Sequence, residues 1–165
     1  MVAAASSTVR LPLSAAAATP EATSGGREAA AVPHRILVVD DNVDAATSLR
    51  EVLKLNGHAV EITHGAAAAL DRFKSFTPEV MLLDIGLPEM DGYELARRIR
   101  SSERGSDVLL IAVTGWGQPG DRDRAREAGF DEHMTKPVGL RDLEAALDRG
   151  KNNGRATYRD RPLPP

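Results

Sequence analysis

From Pro33 to Gly150 short apolar blocks alternate with amphipathic stretches, five times over. Arg35 to Val39, Glu79 to Leu83 and Asp107 to Val113 are nearly unbroken in Val, Ile, Leu, Met and Ala once past their first residues. Strands covered on both faces need that continuity. Two weaker runs, His58 to Thr63 and Asp131 to Thr135, mix in Glu61, Glu132 and His133. Behind each run the period changes to that of a helix. Ala46, Leu49 and Leu53 recur within Val43 to Asn56; Ala66 to Phe76 follows the second run. Leu95 and Ile99 lie one turn apart within Tyr93 to Ser102, Asp121 to Ala128 follows the fourth run, and Leu140, Leu143 and Leu147 share a stripe within Leu140 to Arg149. Gly57 and Gly129 supply left-handed stops. The pattern predicts a doubly wound α/β domain of (βα)5 layout, a five-stranded parallel sheet with helices on both faces. The pure apolar strands belong in its centre and the two mixed ones at its edges.

The flanks carry no such pattern. Residues 1–33 are rich in Ala, Ser, Thr and Pro and are expected to be disordered. Pro12, Pro20 and the lack of a basic start argue against a secretory leader. Residues 151–165, with Asn-Asn-Gly and Pro-Leu-Pro-Pro, are expected to be a basic, unstructured tail. The folded domain is then 34–150, with no separate output domain among these residues. The 165-residue chain has no cysteine, which excludes disulfides and thiolate metal sites and fits the cytoplasm. No apolar run is long enough to cross a bilayer, so no membrane contact is expected. The net charge of −3 combines a neutral N-terminal segment, a C-terminal tail of +3 and about −6 between them. An acidic middle argues against nucleic acid and suits a hard cation.

Polar punctuation closes the apolar runs: Asp40-Asp41 after the first, Asp84 after the third, Thr114 after the fourth and Lys136-Pro137 after the fifth. Ligands of doubly wound sheets bind beyond the carboxyl ends of the strands, where these groups lie. Three converging carboxylates need a counter-charge, from Lys136 or a metal, and an all-oxygen set favours Mg2+ or Mn2+. Asp41 and Asp84 would be direct ligands, Asp40 would act through water, and a backbone carbonyl just past Asp84 would add a donor. Asp84 can also attack phosphorus, with Lys136 and the metal neutralising the equatorial oxygens and Thr114 hydrogen-bonding one that remains. Acids after a strand are also helix caps, and Asp44 is expected to cap the first helix. His34, His58 and His64 show no pairing and are expected at the surface.

Four strings, Ile36-Leu37-Val38-Val39-Asp40-Asp41-Asn42, Leu82 through Tyr93 with Asp84-Ile85-Gly86-Leu87-Pro88, Val113-Thr114-Gly115 and Thr135-Lys136-Pro137, occur in order. Through them residues 35–149 resemble the receiver domain of two-component response regulators, including stand-alone receivers and those ending hybrid sensor kinases. The resemblance implies a flavodoxin-like fold with strand order 2-1-3-4-5. It also implies an acyl phosphate on Asp84 received from a phosphohistidine, on a sensor histidine kinase or a histidine phosphotransfer protein. It carries over Asp40 and Asp41 as the acidic pair, the Gly86 carbonyl as a metal ligand, Thr114 as the switch hydroxyl and Lys136 as the phosphate-contacting lysine. Lys136-Pro137 is expected to be cis.

His133 stands where receivers place a Tyr, Phe or His that rotates inward on phosphorylation; the competing reading is an edge-strand side chain facing water. Trp116 and Gly86 are positioned to set the lifetime of the acyl phosphate, although Trp116 could equally just cover its loop. Residues 119–149 are the candidate surface for a downstream protein partner, and direct DNA binding is not expected. The rival reading is a metal-dependent phosphatase with an aspartyl-phosphate intermediate. Haloacid-dehalogenase-type enzymes typically carry a second acid two residues past the nucleophile, and here that residue is Gly86. A signalling switch, capable only of its own phosphorylation and dephosphorylation, is therefore the expected role.

Overall fold

A computed structural model of the chain describes residues 32–115 and 120–152. Five strands and five helices alternate: β1 (Arg35–Val39), α1 (Val43–Leu55), β2 (Ala59–Thr63), α2 (Ala66–Phe76), β3 (Val80–Asp84), α3 (Gly92–Arg100), β4 (Leu109–Thr114), α4 (Asp121–Ala128), β5 (Glu132–Thr135) and α5 (Leu140–Asn152). All strand pairs are parallel and the sheet order is β2-β1-β3-β4-β5. This is the flavodoxin-like order, with the mixed strands at the edges as their composition predicts.

Alternate residues of the buried strands feed two separate cores. Leu37, Val39, Met81, Leu83, Leu110 and Ala112 face α2, α3 and α4. Phe73, Phe76, Tyr93 and Phe130 also pack in that layer, with Tyr93 edge-on to Phe130. Ile36, Val38, Val80, Leu82, Ile111 and Val113 face α1 and α5, in a layer that is entirely aliphatic. A cavity of about 550 Å³ opens between α1 and the segment joining β5 to α5, lined by Leu49, Val52, Val113 and Leu140, with Asp40, Asp84 and Lys136 at its polar end.

Several local expectations shift by a residue or two, for identifiable reasons. β3 begins at Val80 and β5 at Glu132, one residue later than expected, although the backbones of Glu79 and Asp131 still bond to Arg35, Leu109 and Leu110, and their carboxylates add side-chain bonds at the same end of the sheet. Glu79 Oε2 accepts from the Arg35 N–H at 3.2 Å, and Asp131 Oδ2 from the Leu110 N–H at 2.8 Å. Asn42, not Asp44, caps α1. Its backbone is extended and its side chain accepts from the Ala45 N–H at 3.0 Å, while Asp44 lies inside the first turn. Helix α5 continues through Lys151 and Asn152, two residues into the expected tail. The rest of both expected disordered segments lies outside the described residues.

The histidines also depart from expectation. His58 is buried at 5% exposure, with its ring stacked on His34 at 5.8 Å, and its Nδ1 accepts the His34 N–H. His34 in turn contacts Glu79 Oε2 through Nδ1 at 3.1 Å. Only His64 is exposed.

Arg100, the last residue of α3, fastens the amino-terminal end of the sheet. Its guanidinium donates to the carbonyls of Gly129 at 2.7 Å and Val108 at 2.8 Å, to the carbonyl of Gly105, and to Asp131 Oδ2 at 2.5 Å. One side chain thereby joins α3, the approach to β4, the end of α4 and the start of β5.

Candidate functional site

The carboxyl ends of β1, β3, β4 and β5 bring Asp40, Asp41, Asp84, Thr114 and Lys136 to one edge of the sheet. Asp40, Asp84 and Thr114 are buried, at 7%, 8% and 5% exposure, while Asp41 is exposed. Each buried carboxylate is held the same way. One oxygen accepts a backbone N–H two residues on: Asn42 to Asp40 Oδ1, and Gly86 to Asp84 Oδ1, both at 2.9 Å. The other oxygen faces the Lys136 ammonium, which lies 2.8 Å from Asp40 Oδ2 and 2.8 Å from Asp84 Oδ2. Burial opposes the charge on Lys136, but the bonds to Asp40 and Asp84 outweigh it and hold its pKa above the ordinary lysine value. The peptide preceding Pro137 is cis, as expected, and the Lys136 N–H donates to the Thr114 carbonyl at 2.7 Å.

Helix α3 begins almost against the site. A Cβ on Gly92 would lie 2.5 Å from the Asp84 carbonyl oxygen and 2.8 Å from Ile85 Cα, so only glycine lets the chain turn there. Gly86 is different: a Cβ would meet Asp84 Oδ1 at 3.6 Å, an ordinary contact.

His133 is half-buried, with its ring turned toward Thr114. Its Nε2 lies 3.2 Å from Thr114 Oγ1. Burial, reinforced by the charge of Arg122 and partly offset by Asp121, lowers its pKa below the ordinary histidine value, which favours the neutral ring. His64, for which the sequence suggested no role, contacts the Asp40 carbonyl through Nδ1 at 2.9 Å. The available signal was its position just after β2, whose Thr63 pairs with Val39 just before Asp40. Trp116 lies outside the described residues.

Ligand oxygens of Asp40, Asp41 and Asp84 all fall within 4.8 Å of one another. Three hard oxygen donors at that spacing, beside a lysine already neutralising part of their charge, fit a small divalent cation such as Mg2+. No described helix is long and apolar enough to cross a membrane.

The family profile for the response regulator receiver domain matches residues 36–148. Response regulator MprA of Mycobacterium avium is 37% identical over 113 residues, covering 68% of this chain and 49% of that protein. The chain thus spans about half the length of the curated relatives it matches. A CheY-like receiver domain protein from Methanospirillum hungatei superimposes with a TM-score of 0.66 at 31% identity, covering 74% of this chain and 100% of that one. The receiver domain of sensor histidine kinase PA1611 from Pseudomonas aeruginosa, solved with a magnesium ion coordinated in its active-site cleft, gives a TM-score of 0.66 at 30% identity, covering 73% of this chain and 99% of that one. Matched along nearly all of its folded length and built on the same sheet, the chain belongs to the response regulator receiver domain family.

Proposed function

We propose that this receiver domain is a phosphoacceptor switch in a two-component phosphorelay. Asp84 accepts the phosphoryl group of a phosphohistidine on a sensor histidine kinase or a histidine phosphotransfer protein. The observation that carries the reading is the arrangement around Asp84. Its Oδ1 is fixed by the Gly86 N–H and its Oδ2 by Lys136, so the carboxylate is oriented before any donor arrives. In transfer, an Asp84 oxygen forms a bond to phosphorus as the phosphorus–nitrogen bond to the donor imidazole breaks, and that nitrogen keeps the electron pair. Asp40, Asp41, Asp84 and the Gly86 carbonyl would hold Mg2+ or Mn2+, which when bound supplies positive charge to the phosphoryl oxygens. Lys136 neutralises a further oxygen, and Thr114 donates its hydroxyl to another.

The same geometry disfavours the phosphatase. Turnover of phosphoesters calls for a second acid beside the nucleophile to protonate the leaving group. Gly86 holds that position, and the neighbouring acids are engaged with Lys136 or placed to hold a metal. The output of the switch is a shift between two conformers, read by a protein partner on the face built from α4, β5 and α5.

Phosphotransfer from a panel of labelled histidine kinases tests this reading, with Asp84→Asn as control. Label on the parent and none on the variant is the expected result. Labelling of Asp84→Asn, or release of nitrophenol from p-nitrophenyl phosphate, would refute it.

A further inference from the structure

We propose that His133 is the resting-state hydrogen-bond acceptor for the Thr114 hydroxyl, so that Thr114 reaches a phosphoryl group on Asp84 only by giving up this bond. The inference rests on the phosphoacceptor reading and specifies what regulates it. Thr114 ends β4 and is buried at 5% exposure, so its hydroxyl needs a partner inside the protein. His133 supplies one from the adjacent strand. Ala112 pairs with His133 and Thr114 with Thr135, which sets Thr114 and His133 diagonally across β4 and β5, and their side chains meet at 3.2 Å.

A hydroxyl has a single proton to donate. Thr114 can place it on His133 Nε2 or on a phosphoryl oxygen, but not on both. For Nε2 to accept, the ring must be neutral with its own proton on Nδ1. The half-buried setting and the charge of Arg122 favour the neutral ring, against the opposing charge of Asp121. A Phe at this position could offer no acceptor, and the hydroxyl would then be released to the phosphoryl group without competition. In this chain the imidazole makes the unphosphorylated conformer the better hydrogen-bonded one, and so holds the switch off until the phosphoryl group outbids it.

Two measurements test the latch. Long-range proton–nitrogen NMR of the unphosphorylated protein reads the His133 tautomer directly, with no variant needed; the Nδ1-protonated form is expected, and an Nε2-protonated ring would overturn the proposal. Affinity for beryllofluoride with Mg2+, used as a phosphoryl mimic, reads the competition. His133→Phe should bind it about threefold to tenfold more tightly than the parent, the worth of one net hydrogen bond. The same substitution should have no effect in a Thr114→Val background. An equal gain in both backgrounds, or no gain in either, would also overturn it. If the parent fails to bind beryllofluoride at all, the phosphoacceptor reading falls. If the parent binds it while its ring is protonated on Nε2, only the latch falls.

Discussion

Replacing Arg100 with methionine removes the cation that ties the lower ends of β4 and β5 to α3. Methionine keeps the unbranched stem and the helix propensity of α3, so the loss is confined to the guanidinium. Four acceptors lose a bond from the guanidinium: the carbonyls of Gly105, Val108 and Gly129, and Asp131 Oδ2, which keeps only the Leu110 N–H. Breaking a buried pair from one side costs about 3 to 5 kcal/mol, and side-chain exposures of 19% and 14% put this pair near the lower figure. The cost should also depend on pH. Burial already holds the Asp131 carboxyl above its ordinary pKa of 3.8, against the lowering effects of Arg100 and the Leu110 N–H. Without Arg100 it rises further. A carboxyl whose pKa is raised by folding binds its proton more tightly when folded, so its effect on stability is best below the unfolded pKa and worsens as pH climbs through the folded value. That loss extends further in the variant, and the gap between the two proteins therefore widens as pH climbs from the ordinary carboxyl value of 3.8 to neutrality. Urea unfolding followed by far-ultraviolet circular dichroism, at a pH near the ordinary carboxyl value and at neutral pH, measures it. A cost below about 1 kcal/mol would refute the clamp. A cost equal at the two pH values would refute the part assigned to the Asp131 carboxylate.

Gly92→Ala should destabilise by about 1 to 3 kcal/mol, because its Cβ meets the backbone of Asp84 and Ile85. Gly86→Ala should stay within about 0.5 kcal/mol of the parent; thermal unfolding of the two variants compares them directly. Thr77 closes α2 with φ at 50°, a left-handed conformation that a β-branched residue adopts at a cost. Thr77→Gly should therefore stabilise by about 0.5 to 1 kcal/mol in urea titrations, and a loss would refute the strain. Lys136→Met leaves Asp40 and Asp84 without their shared cation, so Mg2+ should bind more tightly, on the order of tenfold by calorimetric titration. Weaker binding would contradict a lysine that competes with the metal. The contribution of Lys136 to stability in the parent is complete below the ordinary lysine pKa of 10.5 and is lost as pH rises through its raised folded value.

The site was legible in the sequence because its residues close apolar strands, and strand ends of a parallel sheet converge by topology alone. Asp84 and Lys136 are 52 positions apart, yet the strand pattern suffices to bring them together. The same runs separate central from edge strands, since strands covered on both faces must be nearly free of charge, while the order β2-β1-β3-β4-β5 was an implication of the family resemblance. What escaped were contacts made by single side chains across long separations. Nothing in the pattern around Arg100 distinguishes it from Arg97 and Arg98, which stay on the exposed face with Glu94. Burial of His58 depends on where His34 enters beneath it, and the acceptor on Thr114 depends on which way the His133 ring turns. Asn42 rather than Asp44 is the cap because α1 starts at Val43, and an offset of two residues at a helix end is within what a sequence pattern leaves open.

The two layers of this sheet are not equally free to change. Among the described residues every Phe and Tyr packs with α2, α3 and α4, where large planar rings interlock and tolerate few exchanges. The layer under α1 and α5 is built from Val, Leu, Ile, Ala and Met, and volume-conserving swaps among aliphatic residues cost little. Sequence drift can therefore accumulate beneath α1 and α5, beside the open cavity at Asp84, without disturbing the aromatic layer. Diversification of this domain has one compliant side, and it is the side that borders Asp84.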